Sequence, residues 1–241
     1  MTANDKKEKE LNLQGFQVVA GCDESGCGTY SGDVCIGLVI FPVNIDYKTL
    51  LPGLNDSKQK TPAERAVLYQ QVHQHALAYA TASASVEEID NLNIYWARFL
   101  AVYRALSKIS TKPDYIIMDG NKVIPTKEKM SEQIIKGYAN KPEQRQKLLD
   151  EINLISLPQQ EAIVKGDAKS ISIAAASILA KVERDEHIDK LAQLVHPDFD
   201  WIHNKGYHCQ AQIDAVKKHG RTPYHRQKYY ETLIKKHIEG K

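Results

Sequence analysis

Hydrophobic positions along this chain fall into short blocks set apart by glycines and polar runs. Residues 16–22 (FQVVAGC) and 34–41 (VCIGLVIF) are too short for buried helices and are bounded by Asp23, Asp33 and Pro42, so each reads as a strand. The connection holds Gly26, Gly28 and Gly32, which predicts a hairpin whose turn can take positive φ and admit a ligand's backbone. Thr61-Pro62-Ala63-Glu64 has the order of a capping box with proline in the first turn, predicting a helix over 62–78. Residues 79–85 alternate as a strand does, and Ser85-Val86-Glu87-Glu88, a second capping box, opens a helical region running to Ile109. Residues 115–118 (YIIM) and 161–164 are short strands. A long helix follows Ser170, its first turns small (Ala174, Ala175, Ala176, Ser177, Ala180) for close packing on a sheet and its later turns charged. Strands alternating with helices predict an α/β fold. Residues 1–15, of mixed charge, read as a disordered tail. Residues 122–158 are rich in Lys, Glu and Gln and read as a peripheral helical insertion, and residues 201–241 form a helical C-terminal extension.

With 241 residues and 42% hydrophobic content, the chain can bury one sizeable core. No apolar stretch approaches a membrane span, and the charged opening lacks the apolar core of a secretory signal, so a cytoplasmic location and no membrane partner are expected. Cys22, Cys27, Cys35 and Cys209 show no CxxC spacing and are expected as reduced thiols. The net charge of +2 conceals an asymmetry: from Trp201 onward there are nine Lys and Arg against three acids, interleaved with Tyr207, Tyr224, Tyr229 and Tyr230. Such a tail suits a polyanion partner.

The chemistry concentrates at strand ends. Asp23 and Glu24 follow the first strand, and Asp119, before Gly120, follows another. Groups beyond strand ends converge in α/β sheets. Carboxylates ~4 Å apart repel by about 4 kcal/mol at an effective dielectric near 20, a cost relieved by a cation or a proton. A metal site is therefore predicted. Asp167, just ahead of the long helix, either caps it or faces the same metal. Asp56-Ser57-Lys58 offers a hydroxyl and an ammonium to phosphates, or is ordinary loop polarity.

Taken in order, several motifs resemble type 2 ribonuclease H, the ribonuclease HII family. They are GxDExGxG at Gly21 to Gly28, DSK at 56–58, EEIDxLNI at 87–94, DG at 119–120, KGDAKSxSIAAASILAKVxRD at 165–185, GY at 206–207 and HR at 225–226. The resemblance implies a ribonuclease H-like mixed β-sheet flanked by helices, with the helical extension at its C-terminus. It also implies a monomeric endonuclease serving DNA replication and repair. Such an enzyme hydrolyses the RNA strand of RNA·DNA hybrids, or the backbone at ribonucleotides embedded in duplex DNA. It uses two Mg²⁺ or Mn²⁺ ions and leaves 5′-phosphate and 3′-hydroxyl ends. Asp23, Glu24, Asp119 and Asp167 would be the catalytic and metal-binding set. Gly26, Cys27 and Gly28 would lie against the ribose 2′-hydroxyl, and Tyr207 would stack on the following sugar. Ser57, Lys58 and Lys181 would meet phosphates. Arg184 is a further phosphate candidate, although it and Lys181 can equally lace their helix to Asp185, the role we favour for Arg184.

Departures touch recognition most. Cys27 stands where the family carries arginine, and Thr29-Tyr30-Ser31-Gly32 is similar to the turn of the ribonuclease HIII branch. A neutral thiol cannot supply arginine's fixed pair of donors, so a full hybrid is the expected substrate over a single embedded ribonucleotide. Gln212 falls where histidine is common, GYHC replaces GYGT, Gln227-Lys228-Tyr229 follows the HR pair, and the span from Asp119 to Asp167 is longer than usual. Cys27 and the altered C-terminal motifs leave open an alternative, an RNA·DNA-hybrid-binding module with weak or lost catalysis.

Overall fold

The computed structural model describes residues 3–237. Its framework is a five-stranded mixed sheet made of β1 (Val19–Ser25), β2 (Val34–Ile40), β3 (Ala78–Ala84), β4 (Tyr115–Asp119) and β5 (Gln159–Ile163), in the order β3-β2-β1-β4-β5. β1 is antiparallel to β2, and β2 to β3, while β1, β4 and β5 run parallel. The helices, in chain order, are α1 (Lys6–Leu13), α2 (Tyr47–Leu50), α3 (Pro62–His75), α4 (Val86–Leu92), α5 (Ile94–Lys108), α6 (Lys127–Gly137) and α7 (Pro142–Asn153), then α8 (Ile171–Ala192), α9 (Trp201–Asn204), α10 (Gln210–His219) and α11 (Gln227–His237). Both predicted capping boxes form, at Thr61 with Glu64 and at Ser85 with Glu88.

α8 lies on one face of the sheet because the sequence removes what would hold it off. A Cβ at Gly21 or Gly37 would come within 2.1 Å of the Ser172 or Ala176 backbone, so only glycine permits this approach. The alanines of α8 complete the fit, and Ile178 and Leu179 bury completely against α3, each contributing roughly 1.5–3 kcal/mol. α5 covers the other face over Ala20, Cys22, Ile36, Leu38 and Ile40.

Two expectations fail for the same reason: partners distant in sequence. Of residues 1–15, the first two lie outside the described residues, and residues 3–15 do not form a disordered tail. α1 docks with Leu11 buried, and the Glu8 carboxylate accepts hydrogen bonds from Ser170 Oγ (2.5 Å), Ser172 Oγ (2.6 Å) and Ser172 N (3.1 Å) at the start of α8. Asn4 bonds to Lys169 O and Ile171 N beside it. Residues 122–158 are helical over α6 and α7 but not peripheral: Met130, Ile134, Leu148 and Ile152 are buried in the core under α5. Arg104 of α5 ties this layer together through Glu88 (2.6 Å) and Glu151 (3.0 Å). The C-terminal extension builds a smaller core of Phe199, Trp201, Ile213 and Val216 on Ile188 and Leu191 of α8.

Candidate active site

β1 carries its acids inside the strand rather than beyond its end. Pairing with β4 stops at Cys22 and Met118, whereas pairing with β2 continues to Ser25 and Cys35, so the antiparallel ribbon projects past its parallel neighbour. Strand alternation therefore still governs Asp23 and Glu24. Asp23 shares the α8 face with Gly21 and is 6% exposed. Glu24 turns to the α5 face, where Arg98 holds it at 3.0 Å.

The parallel neighbour delivers the next acid beside Asp23. Asp119 ends β4, and its Oδ1 accepts a 2.6 Å bond from Gly166 N, which draws in the loop carrying Asp167. Ser170, whose hydroxyl accepts from Ile173 N, caps α8, so Asp167 is not its cap. Asp23, Asp119 and Asp167 thus gather at the carboxyl end of the parallel strands, and their charges are felt: burial first, then Glu24, Asp119 and Asp167, raise the Asp23 pKa well above the ordinary carboxylate value. Burial, Asp119 and Asp56 raise Asp167 in the same way. Lys58 is the cation of this cluster. Burial opposes its charge, but Asp23, Asp56, Asp167 and Asp119 outweigh burial and raise its pKa. Among the described residues, no three of the four predicted acids present oxygens within 4.8 Å of one another. The donor set is nonetheless all carboxylate oxygen, the chemistry of hard divalent ions, and its mutual repulsion is what such an ion relieves; the residues fit Mg²⁺ or Mn²⁺.

The glycine turn, residues 26–33, packs beside these acids. Gly26 (φ +96°) and Gly32 (φ +76°) take the left-handed backbone, and side chains there would meet Arg184 and Ile188. Gly28 differs. It has no positive φ, and a Cβ would meet nothing within 4 Å, so it is the open point of the turn. Arg226, completely buried ahead of α11, is the organiser. Its guanidinium donates to the carbonyls of Gly26 (2.7 Å), Cys27 (3.3 Å), Thr29 (3.0 Å), Gly32 (2.9 Å) and Asp33 (3.2 Å). Tyr229 Oη adds a bond to Cys27 O. The Cys27 thiol is half-buried and lies 3.7 Å from Glu24 Oε1; burial, then Glu24, push it up to about 12, so it stays protonated.

The remaining predicted residues divide. Tyr207 is 39% exposed, its ring 5.4 Å from both Lys181 Nζ and the Arg184 guanidinium. Lys181 is bound to Asp185 at 2.7 Å, and burial lowers its pKa. Ser57 is buried with its hydroxyl bonded to Ser177 Oγ at 2.6 Å, which anchors the Lys58 loop to α8 and leaves that hydroxyl enclosed. Arg184 is fully buried, donates to Ser31 O and presses on Gly26. Sequence reasoning missed the roles of Arg98, Arg226 and Gln212. Gln212 accepts from Ser31 Oγ and Trp201 Nε1 and donates to Tyr207 O, linking the turn to the tyrosine. The only sequence signals were the HR pair and the unusual glutamine; neither carries its partner's address.

Comparison with known proteins identifies the family and the fold. The family model described as ribonuclease HII matches residues 20–232. A ribonuclease HII of Phocaeicola vulgatus is 39% identical over 209 residues, covering 87% of this chain and 87% of that protein. Among solved structures, the ribonuclease H2 of Pyrococcus horikoshii superposes with a TM-score of 0.64 at 26% identity, covering 92% of this chain and 98% of that one. Bst-RNase HIII, solved in complex with Mn²⁺, shares the fold with a TM-score of 0.61 at 18% identity over 84% of this chain and 63% of that one. No helix among the described residues is long and apolar enough to cross a membrane. With the family matched over nearly the whole chain and a mixed sheet gathering carboxylates at one end, this protein belongs to the ribonuclease HII family and is an endoribonuclease.

Proposed function

We propose that this enzyme hydrolyses the RNA strand of RNA·DNA hybrids in the presence of Mg²⁺ or Mn²⁺, leaving 5′-phosphate and 3′-hydroxyl ends. The observation that carries the proposal is the Asp23–Asp119–Asp167 cluster, whose charges act on one another with Lys58 as their cation and whose strand β1 leads into the glycine turn. Asp23, Asp119 and Asp167 would hold two divalent ions, with Glu24 joining them on release from Arg98. When bound, such ions activate a water for in-line attack and stabilise the leaving oxygen. The Mn²⁺ complex of a protein with this fold supports that choice of metal.

The chain's own residues supply the rest. The Gly166 amide fixes one Asp119 oxygen, and the Ser57–Ser177 bond holds Lys58 where it can neutralise a phosphate. Arg226 holds the turn by its carbonyls, and Gly28, where a Cβ would meet nothing within 4 Å, is open for a ribose 2′-hydroxyl, the group that separates RNA from DNA. Tyr207, backed by Lys181 and Arg184, presents its ring for stacking on the next sugar. Cys27 gives no arginine fork, so the full hybrid is the preferred substrate over a single ribonucleotide. The test is Asp119→Asn: cleavage of a labelled hybrid in Mg²⁺ or Mn²⁺ should vanish with the circular dichroism spectrum unchanged. Persistent cleavage by the folded variant would overturn the assignment.

A further inference from the structure

Away from the acid cluster, a second group of side chains has the composition of a site for a different metal. His196 and Asp198 flank Pro197 on the turn that follows α8, and His219 ends α10. One nitrogen from each imidazole and one Asp198 oxygen lie within 4.8 Å of one another. His219 Nε2 is 2.8 Å from Asp198 Oδ2, His196 Nδ1 is 3.4 Å from Asp198 Oδ1, and the two rings stack with centroids 3.8 Å apart. We propose that His196, Asp198 and His219 bind Zn²⁺, or a divalent ion of similar preference for nitrogen, and so staple the turn after α8 to the end of α10.

The donor set separates this site from the catalytic one. Two imidazoles and one carboxylate suit Zn²⁺, with a water completing the tetrahedron, whereas Mg²⁺ selects oxygen alone. The ligands are partly preorganised. His196 Nδ1 accepts a 3.2 Å bond from Asp198 N, which turns its lone pair toward Asp198, and a metal would take that lone pair in place of the amide. Phe199 N and Asp200 N close the turn on His196 O and Pro197 O, and buried Phe199 and Trp201 anchor it from below. Lys218 Nζ, 2.9 Å from Asp198 Oδ2, is the competitor for this oxygen. Its side chain is 68% exposed, and exposed pairs of this kind are weak, so a metal displaces it readily. The staple would close the segment that carries Tyr207 and Gln212, and binding to the folded state alone would stabilise the extension by mass action.

The experiment uses the full chain in excess Mg²⁺, which keeps the carboxylate cluster supplied with its own ion. Protein equilibrated with micromolar Zn²⁺ and passed through gel filtration should retain one Zn²⁺ per chain by elemental analysis and unfold at a higher temperature. His196→Gln and His219→Gln should each weaken Zn²⁺ binding by roughly 100-fold or more and erase the thermal shift, with hybrid cleavage in Mg²⁺ intact. The proposal is overturned if the wild type retains no Zn²⁺, or if either histidine variant retains it as the wild type does.

Discussion

In the acid cluster, each side chain arrives on a strand or on the loop beyond one, and the charges so assembled oppose one another. In the glycine turn next to it, a buried cation from the far end of the chain, Arg226, gathers five backbone carbonyls around itself. The first region is held in place by the sheet despite its electrostatics; the second is held in place by its electrostatics. The difference teaches that chemistry and recognition can be damaged separately here. Removing a charge from the cluster should cost activity while easing the fold, whereas removing one from the turn should loosen the fold before it touches the acids.

The largest effect that would sharpen this contrast is Asp23→Asn. It should lower hybrid cleavage by at least about 10³-fold, as expected for losing a group that holds the reacting centre together, while raising the melting temperature of chelated protein. Calorimetry in EDTA beside a cleavage assay checks both arms; a fall in stability would break the comparison. Next is Arg226→Ala, which strands buried carbonyls and should destabilise the protein by about 3 kcal/mol in urea titrations, with substrate binding weakened more than turnover at saturation.

His225 provides a smaller and pH-dependent version. It is 3% exposed beside Phe199 and Trp201, and burial, then Arg221, lower its pKa to about 4. The unfolded chain protonates this residue near 6.5 and the folded chain near 4. Its contribution is therefore present above about pH 6.5 and is lost as pH falls toward 4, to a limit of about 3 kcal/mol. His225→Phe should flatten that part of the stability profile; an unchanged slope would show that another group sets it. The smallest effect is at Cys27. Cys27→Arg should raise cleavage of a duplex bearing one ribonucleotide relative to full hybrid by roughly tenfold, about 1.4 kcal/mol of discrimination. An unaltered ratio would free Cys27 from any part in selectivity.

The same contrast separates what was legible in the sequence from what was not. The strands, the capping boxes and the positions of Asp23, Asp119 and Asp167 follow from local patterns, because apolar runs and cap residues declare themselves within a few positions. Ser170's role as the α8 cap was equally local, yet the Asp167 alternative hid it. Glu24 escaped because its direction depends on how far β2 accompanies β1, which no window around residue 24 contains. Arg226 escaped more completely: five carbonyls from residues 26–33 define its environment, and none is near it in sequence. The segment over α6 and α7 reads as peripheral because its apolar residues are few, but Met130, Ile134, Leu148 and Ile152 are enough to bury it in one layer.

Glu8 carries a practical lesson for anyone preparing this enzyme. Its neighbourhood, KKEKE, invites trimming or fusion to an affinity handle, yet its carboxylate receives both serine hydroxyls at the root of α8, three residues past Asp167. A shortened or crowded amino terminus therefore reaches the active centre through the foundation of its longest helix, and a preparation that lacks activity for this reason would be mistaken for one that lacks metal.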